Sequence, residues 1–155
     1  MLLKIPLRSK MIPTEFVNPI NTKKGMIERV RAQIRDYAEL NRLLCYEKES
    51  SDIFIGEAIE SALRDYNYSP PLIGRKTIKN FPDHNLLITG AIFFLLKGIG
   101  MLITRNSLAY NDGGINVNLD KTAEYQSWLS IYSNEWEQKK SRLKSALNIA
   151  SMLRV

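Results

Sequence analysis

Apolar and polar positions divide this chain into a proline-broken start, four helical stretches and one short strand-like stretch. Across residues 26–44, Ile27, Val30, Ile34, Tyr37, Ala38 and Leu44 recur at three- and four-residue steps, the spacing of one helix face. Glu28, Arg31, Arg35, Glu39 and Arg42 fall between them, and their mixed signs predict a solvated face. After a polar break at 48–51, Asp52 is placed to cap a second helix over about 53–66. Its apolar face is Ile55, Ala58, Ile59, Ala62, Leu63 and Tyr66, with Glu57 and Glu60 on or near the other side. Pro70-Pro71 ends it, because proline cannot continue the hydrogen-bond ladder. Residues 72–81 read as an irregular connector with Gly74 and a basic cluster, Arg75, Lys76 and Lys79.

Pro82 suits the first turn of a third helix. Residues 86–103 are apolar nearly all round, interrupted by Thr89, Gly90, Lys97, Gly98 and Gly100. A helix of that kind is buried in a core or crosses a membrane. Its length, roughly 27 Å at about 1.5 Å per residue, suits either. Lys97 inside the span disfavours the bilayer by roughly 2.5–3.5 kcal/mol. The expectation is a central core helix, with glycines where a neighbour approaches closely.

Asp112-Gly113-Gly114 then marks a tight reversal. Ile115, Val117 and Leu119 alternate with Asn116 and Asn118 as a half-buried strand would, with its partner around residues 108–110. This stretch is either a plain turn between two helices or a presented loop that docks on another protein. Asp120 is placed to cap a last helix over about 121–152, with Tyr125, Trp128, Leu129, Tyr132, Trp136, Leu143, Leu147 and Ala150 on one stripe. Lys139, Lys140, Arg142 and Lys144 cluster in its second half, where positive charge also matches the helix dipole. Residues 1–25 carry Pro6, Pro13 and Pro19 among scattered apolar residues and read as an extended arm, lying along its own domain or a neighbour, or as a loose tail.

With 155 residues, one domain is expected, and 45 % hydrophobic with 25 % charged residues is ordinary for a soluble fold. The first six residues lack the apolar core of a signal peptide. One cysteine, Cys45, permits no internal disulfide, and with the single His84 it makes no zinc set. Cys45 reads as a small core residue and His84 as structural rather than a general base. Gly98-Ile99-Gly100 lies inside an apolar helix and is no dinucleotide fingerprint. There is neither a phosphate-binding loop nor a nucleophile elbow. No catalytic residue, metal or cofactor is therefore expected. The net charge of +6 admits nucleic acid, an acidic partner surface or solubility alone as its reason.

From about Asp52 onward, roughly two thirds of the chain resembles the head-to-tail connector proteins of tailed bacteriophages, the small neck-ring adaptors below the portal. The matching features come in order: Asp65-Tyr66-Asn67 before Pro70-Pro71, then Phe81-Pro82 and the apolar helix. Arg105-Asn106, Leu108, Tyr110 and Asp112-Gly113-Gly114 follow, and then a long helix with Trp136 and Lys139-Lys140. Where the family often carries proline and serine around the tyrosine, this chain has Ala109 and Asn111. The resemblance implies a mainly α fold. It would be a small bundle of about four helices over residues 26–155, with a protruding hairpin at 107–119 and an N-terminal arm.

It also implies a homo-oligomeric ring of roughly twelve copies, closed head to tail. The ring would bind the portal protein and the next neck or tail ring, and leave a channel through which DNA passes without sequence readout. By the same resemblance no membrane would be involved, and the protein, made in the host cytoplasm, would sit at the neck/tail junction of the virion. Tyr110, Asn111, Asp112, Gly113 and Gly114 would contact the portal or a neighbouring ring. Lys139, Lys140, Arg142 and Lys144 would meet the portal, DNA or the next subunit, and the arm and the end of the last helix would lace subunits together. The competing readings are a basic nucleic-acid-binding accessory protein and a single-pass membrane protein spanning residues 86–103.

Overall fold

The computed structural model describes residues 15–41, 45, 47–106, 109–112, 115–118 and 122–153. The fold is mainly helical: α1 is Lys23–Ile34, α2 Asp52–Tyr68, α3 His84–Asn106 and α4 Thr122–Met152. α2 packs on α3 and α3 on α4, while α1 lies across α2 and α3. Their shared core contains Met26, Val30, Ile55, Ile59, Tyr66, Phe81, Leu87, Ile92 and Trp136.

α1 starts earlier and ends sooner than its periodicity suggests. Thr22 caps it by accepting from the Gly25 N–H at 3.1 Å, so residues 23–25, expected in the arm, are helical. It ends at Arg35, whose φ of 55° is left-handed, and the Arg35 and Asp36 N–H groups return to the Ala32 and Arg31 carbonyls. That is a Schellman stop built without the usual glycine. The stop lets Asp36 turn inward to meet Arg31 at 2.5 Å. Arg31, expected on a solvated face, is only 5 % exposed. Its guanidinium also donates to the Ser50 carbonyl at 2.8 Å and the Asp52 carboxylate at 2.6 Å. Asp36 in turn accepts from the Glu49 and Ser50 N–H groups and from the Asn41 side chain. A buried guanidinium is tolerated when its donors are matched in this way.

α2 follows its predicted face: Ile55, Ala58, Ile59, Ala62, Leu63 and Tyr66 are all buried. Ser51, rather than Asp52, caps it by accepting from the Phe54 N–H, because the Asp52 carboxylate is engaged with Arg31. The helix stops at Ser69, just before the two prolines. The connector then runs back beside it, held by the Asn67 side-chain amide. That amide accepts from the Lys76 N–H at 2.8 Å and donates to the Lys76 carbonyl at 2.9 Å.

α3 is capped by Asp83, whose carboxylate accepts from the Asn85 and Leu86 N–H groups, with Pro82 one step outside. Its first half is core: Leu86, Leu87, Gly90, Ala91, Ile92 and Leu95 are buried. Its second half is not the buried rod the apolar run suggests, since Lys97, Gly98, Met101 and Leu102 are exposed. Of the three glycines expected at close approaches, only Gly90 sits at one. A Cβ there would lie 2.6 Å from the Trp136 ring of α4, whereas Gly98 and Gly100 face open space. Trp128, expected on the buried stripe of α4, is 56 % exposed, and Ala150 is exposed too. Both lie where α4, about 46 Å long by its rise per residue, outruns the core.

Between α3 and α4, residues 109–112 and 115–118 lie antiparallel, with Ala109 opposite Asn118 and Asp112 opposite Ile115. Gly113, Gly114, Asp120 and residues 1–14 of the expected arm fall outside the described residues.

Candidate functional site

A densely bonded site joins α2 to α4 around Asp65. One Asp65 oxygen accepts from the Trp136 indole N–H at 2.9 Å and from the Lys140 ammonium at 2.6 Å. Four residues on, the Lys144 ammonium donates to the Tyr66 and Ser69 carbonyls, two of those left open at the end of α2, and stands 4.9 Å over the Tyr66 ring. A cation is favoured at a helix C-terminus. Lys144 is 1 % exposed, and that burial, with Lys140 nearby, lowers its pKa, partly offset by Asp65. Asp65, Tyr66, Trp136, Lys140 and Lys144 thus form one internal lock.

This lock splits the basic cluster proposed for partner contact. Lys140 and Lys144 are turned inward onto α2. Arg142 and Lys139 remain exposed, Lys139 pairing with Glu135 one turn earlier. Nothing in the charge pattern alone separates the two pairs. Their register does, since residues 136, 140 and 144 fall on one side of a helix, in line with the apolar stripe.

The contacts also set the direction of the helices. α2 and α4 run the same way and α3 runs against both, so the ends of α3 and the starts of α2 and α4 share one end of the bundle. The Tyr125 phenol agrees: its pKa is raised by burial and by the Glu49 carboxylate, just ahead of α2. Among the described residues, this end exposes several large apolar side chains. Met101 and Leu102 on α3, Trp128 and Ile131 on α4, and Ile53 and Phe54 on α2 are all at least half exposed. Tyr110, Asn111 and Asp112 follow α3 at this end, in the first of the two paired strands.

No catalytic constellation gathers among the described residues. His84 Nε2 lies 2.8 Å from the Ile78 carbonyl, which ties the connector to the start of α3. Cys45 is exposed rather than a core residue, at a left-handed φ of 53°. No group of three metal-ligating side chains occurs among the described residues. A cavity of about 580 Å³ opens between residues 15–18, α1 and residues 37–39. Its apolar lining of Phe16, Val17, Ile27 and Ala38 is rimmed by charges of both signs, including Glu15, Lys24 and Glu39.

Comparison with protein families, with curated proteins and with solved structures finds no match to this chain.

Proposed function

We propose that this chain is a structural, non-catalytic virion protein. Copies of it assemble head to tail into a ring that joins the portal to the next neck or tail component and leaves a channel for DNA. The observation that carries the proposal is the uncovered apolar end of the bundle. The core is closed by the Arg31–Asp36 and Asp65–Lys140 ion pairs. Yet Met101, Leu102, Trp128 and Ile131 extend beyond it in contact with solvent. A concentration of large apolar side chains of this kind marks a surface that meets another protein. A heterologous contact repeated by rotation turns such a surface into a closed ring. The order of sequence features shared with the neck-ring adaptors supplies the particular assembly. In this reading the hairpin at 107–119 protrudes, with Tyr110 to Gly114 presented to the portal or the neighbouring ring, and the arm laces subunits together. Of the basic cluster, Lys139 and Arg142 are the exposed members that would reach a partner.

The test is a surface variant, Met101→Ser/Trp128→Ser/Ile131→Ser. Because these side chains lie outside the core, its helical circular dichroism and melting midpoint stay close to those of the parent chain, while ring assembly is lost. A variant that assembles as the parent does would remove the apolar end from the account.

A further inference from the structure

At the opposite end of the bundle lies a feature the ring reading leaves unused. From Tyr66 to Pro82 the chain carries Arg75, Lys76 and Lys79 and no acidic residue. The two carboxylates that flank this stretch are engaged elsewhere: Asp65 by Trp136 and Lys140, Asp83 by the first N–H groups of α3. Among the described residues, none of the three cationic side chains meets a carboxylate. Some other surface cations do: Lys23 pairs with Glu60, Arg64 with Glu57 and Lys139 with Glu135.

The backbone that displays these cations is held along its length. Asn67 grips Lys76 by both main-chain groups, and the Asn80 carboxamide accepts from the Thr77 N–H and hydroxyl. His84 holds the Ile78 carbonyl, Ile73 and Ile78 pack on the core, and Phe81 is buried within it. Tyr68, next in sequence to the Asn67 that holds Lys76, is 83 % exposed at the end of α2. An aromatic face next to unpaired cations on a fixed backbone suits a nucleic acid better than an acidic protein, because it adds a stacking or sugar contact to the phosphate pairing.

We propose that this connector strap, through Arg75, Lys76 and Lys79, contacts the phosphate backbone of DNA without reading sequence. Three cations give a weak, salt-sensitive contact, compatible with DNA that moves past. The proposal goes beyond the ring reading, because it depends on the strap of a single copy.

The experiment is fluorescence anisotropy of the full chain with a mixed-sequence duplex of about 30 base pairs, titrated with salt from about 50 mM upward. Each neutralised phosphate contributes about 0.9 to the slope of log K against log salt, so the parent slope lies near −2 to −3. Arg75→Ser/Lys76→Ser/Lys79→Ser weakens binding at low salt at least about tenfold and flattens the slope by about two, while Lys139→Ser/Arg142→Ser changes neither. The strap variant keeps its fold because only main-chain groups of Lys76 are used internally, which its melting curve checks. Unchanged DNA binding by the strap variant overturns the proposal, as does a loss that follows the α4 variant instead. Tighter binding to polyglutamate than to DNA assigns the strap to an acidic protein and also overturns it. Ring assembly is scored separately by particle size, so either idea fails without the other.

Discussion

Gly90 and Trp136 meet so closely that the α3–α4 packing depends on the missing side chain. A Cβ at position 90 would fall 2.6–2.9 Å from three atoms of a fully buried indole. The indole is also held by its hydrogen bond to Asp65, so it has no easy way to yield. Gly90→Ala gains helix propensity but overpacks the core, and the net expectation is a loss of about 1–3 kcal/mol in urea unfolding. Tyr66 behaves in the opposite sense. Its ring is fully buried and packs edge-on against Phe81 at 4.6 Å, but its hydroxyl has no hydrogen-bond partner. Removing that oxygen removes a desolvation cost, so Tyr66→Phe is as stable as the parent or more so by up to about 1 kcal/mol. Burial raises the Tyr66 pKa above its ordinary value of 10.0. The unfolded chain therefore loses this proton first as pH rises past 10, and stability falls in that window. Unfolding measured on both chains should show the Phe variant's advantage widening above pH 10 and constant below it.

At the scale of elements, patterning identified what periodicity governs and missed what individual polar partners govern. The buried face of α2 was legible because its apolar residues keep one helical register and Pro70-Pro71 bounds it. The end of α1 was not, because no glycine, asparagine or proline marks it. The stop is set by Arg31 and Asp36 closing on residues 50 and 52, a long-range fact. By charge alone Lys140 and Lys144 read as surface residues, because charged residues usually are. Their place in line with Trp136 was the available signal. The second half of α3 looked buried because apolar composition says nothing about whether a neighbour reaches that far. At the candidate site, the exposed apolar residues at the end of α3 and the start of α4 were not legible, because composition does not say which side chains a neighbour covers. The loop that follows α3 gives a prediction of its own. Removing residues 111–114 leaves melting of the helical core unchanged, since α1 to α3 pack without that loop, but abolishes attachment to the portal in a pull-down. Normal attachment by the shortened chain would take docking away from the loop.

As a whole, the molecule has two unlike ends. One collects exposed apolar residues from α2, α3 and α4, and the other presents an unpaired basic strap. Between them lies a core fastened by buried ion pairs. The window His84–Leu102 of α3 is long and apolar enough to cross a membrane. Its first half, however, packs Leu87, Ala91 and Ile92 into that core and brings Gly90 against Trp136. Those contacts favour a rod that organises a bundle and continues into an assembly surface. In the proposed ring this end would meet a different surface of the next copy, and a head-to-tail contact of that kind would give each copy a direction. The most direct test is negative-stain electron microscopy of the purified full chain, alone and with the portal from the same particle. The account predicts closed rings of uniform diameter in at least one of the two preparations. Monomers in both, at concentrations where the chain is folded, would contradict it.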